Sequence, residues 1–173
     1  SVSAFAGSPL MIALEGLVAN GWLSAPTLPE GGFDARRVDF GTVVDWRNAQ
    51  LRSAYAGYLA KNAPAERAAK AEWAKREADW LDDYVLFMAL ETAHGGMPWW
   101  TWAPALRDRD PAALAFARAE HDAEIGYWTW VQWCFDTQAS ALKRYANERG
   151  IAIMGDLPIY IAHHSADCWA RPD

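Results

Sequence analysis

The chain has 173 residues and a formal net charge of −6, from 16 Lys and Arg against 22 Asp and Glu. This length suits one domain with a hydrophobic core, and the acidic balance argues against nucleic acid or an anionic membrane as a partner. No apolar run approaches the roughly 20 residues that span a bilayer, and no secretory signal opens the sequence. The 2 cysteines have neither metal nor disulfide spacing, so we expect a reducing, cytoplasmic setting.

The first third of the sequence predicts short helices separated by loops. Ser8 and Pro9 are typical of an N-cap followed by the first helical position, so a helix is expected over residues 10–19. A loop rich in Pro and Gly follows. Residues 38–45 have a weak extended pattern, and residues 47–61 have a helical one.

Two long helices are predicted next. Over residues 65–94, mostly aromatic side chains recur at spacings of three and four, which predicts one buried face. Asp110 and Pro111 predict the start of a second helix over residues 110–149, packed side by side with the first. Gly126 is expected to allow a kink in this second helix.

A short apolar run near the end of the sequence predicts the one clear strand. Residues 151–154 lack alternation, which is typical of a strand buried on both faces of a parallel sheet. Asp156 would then lie at the carboxyl end of that strand, where α/β proteins bind ligands, and Pro158 argues against continuation. The alternative is that Asp156 only caps a turn. Because such a strand needs neighbours, we expect the chain to be a segment of a larger enzyme.

The sequence contains 11 tryptophans, which is unusual for this length. Aromatic rings stack on sugar faces, although large aromatic side chains also fill cores. Core packing is the preferred interpretation for most of them, and only the cluster of Trp99, Trp100 and Trp102 shifts it towards carbohydrate.

The residue pattern does not contain a complete catalytic constellation. Glycosyl chemistry needs two carboxylates that flank one bond, and Asp156 has only Asp167 nearby in the following loop. His163, His164 and Asp167 suggest a metal site, but adjacent residues usually point apart and a third ligand with motif spacing is missing. We therefore expect no metal, and no phosphate-binding loop or nucleophile elbow is present.

Five segments carry a resemblance to a known family. They are residues 3–9 (SAFAGSP), 38–40 (VDF), 80–90 (WLDDYVLFMAL), 94–99 (HGGMPW) and 155–170 (GDLPIYIAHHSADCWA). In the same order, they resemble the loops and the W-L-E-D-Y-A-L-F-M-A-L helix of the amylomaltases, the 4-α-glucanotransferases of glycoside hydrolase family 77. The departures are Ser8 for Asn, Tyr160 for Phe, His164 for Asp and Cys168 for Val.

The resemblance implies a (β/α)8 barrel enzyme that needs no cofactor and transfers segments between α-1,4-glucans through a glycosyl-enzyme intermediate. It places Asp156 at a barrel strand end beside the cleavage subsite, and it places the nucleophile and the acid/base residue later than residue 173. No catalytic residue is therefore assigned here, and the isolated segment is expected to be inactive. The candidate substrate-binding residues are Ser3, Asp156, Pro158, Tyr160, His164, Ser165, Asp167 and Trp169.

The implied fold class is α/β, a partial (β/α)8 barrel that is mostly helical with one buried strand. Residues 1–46 would form a barrel segment with an active-site loop, residues 47–149 a helical insertion, and residues 150–173 a barrel strand and the following loop. The expected partner is maltodextrin or another α-1,4-glucan. The alternatives are a non-catalytic helical module that binds glucan or a protein, and a hydrolase on the same barrel.

Overall fold

A computed structural model describes residues 2–26, 28, 32–155 and 159–172. Within these ranges the chain forms helices joined by loops, and none of the described residues lies in a β-strand. The α-helices are α1 (Leu14–Ala19), α2 (Phe40–Lys61), α3 (Pro64–Arg76), α4 (Ala78–Ala93), α5 (Pro104–Arg107), α6 (Pro111–Glu120), α7 (Asp122–Asn147) and α8 (Ala166–Ala170). Single 3₁₀ turns are formed at Pro9–Met11 and Trp99–Thr101.

Each of the two long predicted helices is divided by one residue. Glu77 (φ −95°, ψ 5°) separates α3 from α4, and His121 (φ −107°, ψ 22°) separates α6 from α7. The predictions of continuous helices over 65–94 and 110–149 are therefore wrong at these two points. Apolar spacing does not detect a break of one residue, because the buried face continues in register beyond it.

The start of α2 also differs from the prediction. The Asp39 carboxylate accepts hydrogen bonds from the backbone N–H of Gly41 (3.2 Å) and the hydroxyl of Thr42 (2.7 Å). This cap satisfies the first free N–H groups of the helix, so α2 begins at Phe40 and residues 38–45 are not extended as predicted. Asn62 ends α2 in the left-handed conformation, with φ 48°.

One hydrophobic core is shared by the described helices. Every residue of α4 from Tyr84 to Leu90 is buried, so this part of the helix is covered on all sides. It packs against α7, which also contacts α2 and α3. The predicted packing of the two long helical regions is therefore confirmed.

Gly126 lies inside the unbroken helix α7. A Cβ atom at this position would lie 2.8 Å from the hydroxyl oxygen of Tyr55. The glycine therefore permits close approach of α2 to α7. No helix among the described residues is both long and apolar enough to cross a membrane.

The predicted buried strand is not formed by the described part of the chain. The backbone of residues 151–155 is irregular. Ile151, Ile153 and Met154 are 59%, 50% and 95% exposed, although their side chains are apolar. A parallel strand is buried only when neighbouring strands pair with it and helices cover its faces. The described residues supply no such strand, so the structure of these ranges is helical and not α/β.

Candidate functional site

A loop near the N-terminus, residues 3–7, is held at one end by side-chain hydrogen bonds. We call it the N-terminal loop. The hydroxyl of Ser3 accepts from the N–H groups of Phe5 (3.1 Å) and Ala6 (3.4 Å), and it donates to Oδ1 of Asp167 (3.3 Å). Oδ2 of Asp167 accepts from the N–H of Ala4 at 2.6 Å. Both carboxylate oxygens of this α8 residue therefore bind the loop.

The other end of the N-terminal loop is held by Gln132 of α7, which is only 2% exposed. Its Oε1 accepts from the N–H of Gly7 (2.8 Å), and its Nε2 donates to the Gly7 carbonyl (3.0 Å) and to the Tyr84 hydroxyl (3.3 Å). Burial raises the pKa of Tyr84, so this hydroxyl stays protonated at neutral pH. A Cβ atom on Gly7 would lie 2.0 Å from the ring of Phe135 in α7. Any residue other than glycine at position 7 would therefore force the loop or this ring to move.

The backbone of the N-terminal loop is thus fixed without secondary structure. Four consecutive N–H groups, of residues 4–7, donate to side-chain oxygens. Backbone polar groups need partners, and side chains that supply them give an irregular loop one defined shape.

The N-terminal loop presents an aromatic face. Phe5 is 60% exposed and stacks on Trp80 of α4, with ring centroids 6.2 Å apart and an interplanar angle of 23°. Trp80 is oriented by a hydrogen bond from its Nε1 to Oε2 of Glu77 (3.0 Å). Both rings border two clefts. The polar residues that line the first cleft include Asp79, Asp83, Tyr84 and Asp167. Those that line the second include Glu77, Gln132 and Asp136. Aromatic faces beside carboxylates and hydroxyls are the groups that bind sugars.

His164 connects the loop after residue 159 to α4. Its Nδ1 accepts from the backbone N–H of Trp99 (3.4 Å), and its Nε2 lies 3.0 Å from Oε1 of Glu91. An N–H can only donate, so Nδ1 is the acceptor and Nε2 carries the proton that is donated to Glu91. Both ring nitrogens have protein partners, which fits a positioning role and not a metal ligand.

Of the tryptophan cluster, only Trp100 presents a large exposed surface, at 41%. It stacks on His163 with ring centroids 4.6 Å apart and an interplanar angle of 29°. Trp99 is half-buried and donates from Nε1 to the His163 carbonyl (2.9 Å), and Trp102 is in the core at 3% exposure. The cluster is therefore partly structural.

Two further candidates hold α8 in place. Trp169 is 1% exposed, donates from Nε1 to the Leu106 carbonyl (3.0 Å) and lies under the guanidinium of Arg109 at 4.4 Å. Ser165 is fully buried and caps α8 by accepting from the N–H of Cys168 (3.2 Å). The polar atoms of both side chains form hydrogen bonds with protein groups.

Three of the candidates remain. Tyr160 is 85% exposed, and Asp156 and Pro158 lie outside the described residues. No three His, Cys, Asp or Glu side chains in the described ranges are arranged to hold a metal ion. Sequence reasoning missed Gln132 and Glu91 as site residues. The available signal was their polarity within otherwise apolar stripes, because a buried polar side chain needs a partner.

Comparisons with known proteins agree along the chain. A family model described as 4-alpha-glucanotransferase matches residues 1–173. A 4-alpha-glucanotransferase of Thermus thermophilus is 43% identical over 173 residues, which are 100% of this chain and 34% of that protein. The enzyme of the same name from Synechocystis sp. is 37% identical over 172 residues, which are 99% of this chain and 34% of that protein.

A solved structure agrees with these matches. The amylomaltase from Streptococcus agalactiae in complex with acarbose superposes with a TM-score of 0.91 and 30% identity, over 99% of this chain and 35% of that chain. The chain thus spans about a third of the length of the relatives it matches. The family resemblance expected from the motifs is confirmed: the chain belongs to the 4-α-glucanotransferase family, glycoside hydrolase family 77.

Proposed function

We propose that this chain is part of an enzyme that transfers segments between α-1,4-glucans and so disproportionates maltodextrins. The observation that carries this proposal is the superposition, with a TM-score of 0.91 over 99% of the chain, on an amylomaltase solved with acarbose. The relatives that match the chain over its whole length bear the name 4-alpha-glucanotransferase, which supports transfer over hydrolysis.

The proposed chemistry is a retaining double displacement. A carboxylate attacks the anomeric carbon, the glycosidic C–O bond breaks, and an acid protonates the departing sugar oxygen. The 4-hydroxyl of an acceptor sugar then attacks the glycosyl-enzyme, the same acid/base residue takes its proton, and the carboxylate leaves. By resemblance, the nucleophile and the acid/base residue are supplied from beyond residue 173, and this chain supplies binding surface.

We assign glucan contact to three aromatic faces, of which two are exposed and that of Trp80 is partly buried. Phe5, Trp80 and Trp100 offer planes on which the apolar C–H face of a glucosyl unit packs, with carboxylates nearby to accept from its hydroxyls. Asp167 has both oxygens bonded to the N-terminal loop, so we give it a positioning role. Ser3, His164, Ser165 and Trp169 share that role, because their polar atoms bond to protein groups.

For Asp156 and Pro158 the proposal rests on the family motif alone. Asp156→Asn is expected to reduce turnover strongly without unfolding the intact enzyme. Turnover and thermal unfolding, measured on the same preparation, test this. Turnover equal to that of the wild type would remove Asp156 from the site.

We further propose that residues 1–46 and 150–173 belong to a (β/α)8 barrel and that residues 47–149 are a helical insertion. The exposure of Ile151, Ile153 and Met154 supports this division, because a barrel would bury such side chains. Leu17 and Trp22 nevertheless pack into the same core as α7, so the first segment and the insertion would form one packed body. A cytoplasmic location stays a prediction from composition.

The test uses the full-length enzyme that contains this chain and maltotriose as the single substrate. Transfer yields glucose together with maltopentaose and longer glucans. A product mixture of glucose and maltose alone would indicate a hydrolase, and unchanged maltotriose with measurable binding would indicate the non-catalytic glucan-binding module.

A matched pair of variants tests the binding surface. Phe5→Ala is expected to raise KM for maltotriose about tenfold, because loss of one aromatic stacking contact costs roughly 1.4 kcal/mol. Phe116→Ala removes a similarly exposed ring of α6 (70%) and should leave KM unchanged. Equal KM values for the two variants would remove Phe5 from the glucan site.

A further inference from the structure

Two glutamines of α7 bind the backbone of the N-terminal segment in the same way. The Gln132 amide pairs with both the N–H and the carbonyl of Gly7, at 2.8 and 3.0 Å. The Gln138 amide pairs with both groups of Ala13, at 2.7 and 3.0 Å. Each amide thereby satisfies one residue's donor and acceptor, as a neighbouring strand would.

The two pairs differ in what they hold. Gln132 is 2% exposed and grips the residue that ends the N-terminal loop, two positions after Phe5. Gln138 is more exposed and grips Ala13, which precedes α1. The Gln132 pair therefore lies beside the proposed glucan surface, and the Gln138 pair supplies the same interaction away from that surface as an internal control.

The N-terminal loop has two anchors with Phe5 between them. Asp167 holds Ala4 on one side, and Gln132 holds Gly7 on the other. The N–H of Phe5 itself bonds to Ser3, so the backbone on both sides of the ring is fixed before any ligand arrives. A stacking plane works only at a defined distance and angle, and these anchors define both.

We propose that Gln132 is a positioning residue for glucan binding, which acts by fixing Gly7 and hence the plane that Phe5 presents beside Trp80. This inference rests on the proposed function, since it names a residue that prepares that same site. The amide of Gln132 is bonded to Gly7 and to the Tyr84 hydroxyl, so its role is to hold the loop. Its loss lowers affinity because the loop must then be ordered when the glucan binds.

The test compares Gln132→Met with Gln138→Met in the full-length enzyme. Methionine keeps the length of the side chain and removes both amide bonds. We expect KM for maltotriose to rise about fivefold in Gln132→Met with kcat within about twofold, and we expect KM in Gln138→Met to match the wild type. The melting temperature is measured for both, because a merely structural role lowers it without changing KM.

A double variant shows whether the effect passes through the ring. If Gln132 acts through Phe5, Gln132→Met adds little to the KM of Phe5→Ala, so the two changes are strongly non-additive. Multiplying effects, or an unchanged KM in folded Gln132→Met, would overturn the proposal. If Gln132→Met does not fold, Gln132→Asn takes its place: it keeps a neutral amide but is one methylene too short to pair with both groups of Gly7.

Calorimetric titration with maltoheptaose separates this inference from the proposed function. If the wild-type enzyme binds maltoheptaose but does not extend it into longer glucans, the transfer function is contradicted. The ratio of the Kd of Gln132→Met to the Kd of the wild type would then still test the positioning role. A Kd ratio near one contradicts the positioning role, whatever the enzyme does with maltotriose.

Discussion

The helical core and the N-terminal loop are held together by opposite means. In the core, Trp130 and Phe87 are completely buried, and helical hydrogen bonds satisfy the backbone around them. In the loop, four consecutive backbone N–H groups depend on side chains, and two of the three acceptors, on Gln132 and Asp167, are more than 120 positions away in sequence. The core therefore determines stability, whereas a few polar side chains determine the shape of the proposed binding surface.

The largest effect is expected in the core. Trp130→Ala removes a ring in contact with Trp22, Tyr55 and Tyr58, and should lower the free energy of unfolding by about 4 kcal/mol. Denaturant unfolding of the intact enzyme measures it. KM for maltotriose, taken at a temperature where the variant is folded, should stay unchanged. A loss below about 1 kcal/mol would contradict the assignment of this ring to the core.

Close backbone packing gives the next largest effect. A Cβ atom on Gly57 would lie 2.0 Å from the carbonyl oxygen of Trp22, so Gly57→Ala should cost about 3 kcal/mol as α2 moves away. Gly41→Ala is the matched control in the same helix, because its Cβ would meet only ordinary contact with Asp39 at 3.5 Å. It should be neutral or slightly stabilising, since alanine favours helix. Equal melting temperatures for the two variants would contradict this contrast.

Alkaline pH should weaken the core before it alters the loop. Burial raises the pKa of Tyr127 to about 12, while an unfolded tyrosine titrates near 10. Between these values the unfolded chain releases a proton that the folded protein keeps, so the free energy of unfolding falls as pH rises, by roughly 2 kcal/mol. Unfolding curves across this range measure the slope, which Tyr127→Phe should reduce. An identical slope in the variant would show that other groups are responsible.

A variant of the loop is expected to change stability least, but it should change KM for maltotriose more than the core variants do. Asp167→Ala removes the acceptor of the Ala4 N–H and one hydrogen bond of the Ser3 hydroxyl, and it should cost about 1.5 kcal/mol of stability. KM for maltotriose should rise several-fold, because the loop loses one anchor. Asp108→Ala, at an exposed carboxylate bonded to the adjacent Arg107, should change neither quantity. The comparison of core with loop fails if Asp167→Ala lowers stability as much as Trp130→Ala while KM stays constant.

The parts of the fold that sequence could predict are those that depend on local pattern. Asp110 caps α6 as expected, accepting from the N–H of Ala113 at 2.9 Å, with Pro111 in the first position. The apolar spacing predicted that α4 and α7 pack together, although the buried surface is wider than a stripe: every residue from Tyr84 to Leu90 and from Trp130 to Cys134 is buried. Cys134 is buried in α7, and burial raises its pKa, so it stays a thiol.

The predictions that failed, or that sequence could not make, depend on partners distant in the chain. The run at residues 151–154 has the composition of a buried strand, but composition does not supply the neighbouring strands that would bury it. Similarly, the motif at residues 3–9 marked a loop of the family, but nothing in it indicated that Gln132 would hold Gly7. Sequence identified which segments matter, and the contacts that fix them required the folded chain.

Amide hydrogen exchange would report the N-terminal loop in an unusual way. Protection of most backbone amides reflects the opening of a helix or of the whole core. The amide protons of residues 4–7 are shielded by side chains, so each exchanges when one rotamer turns. The Gly7 amide would follow the motion of Gln132, and the Ala4 amide would follow that of Asp167. Exchange at these four positions therefore measures, residue by residue, how long the loop keeps the shape that presents Phe5.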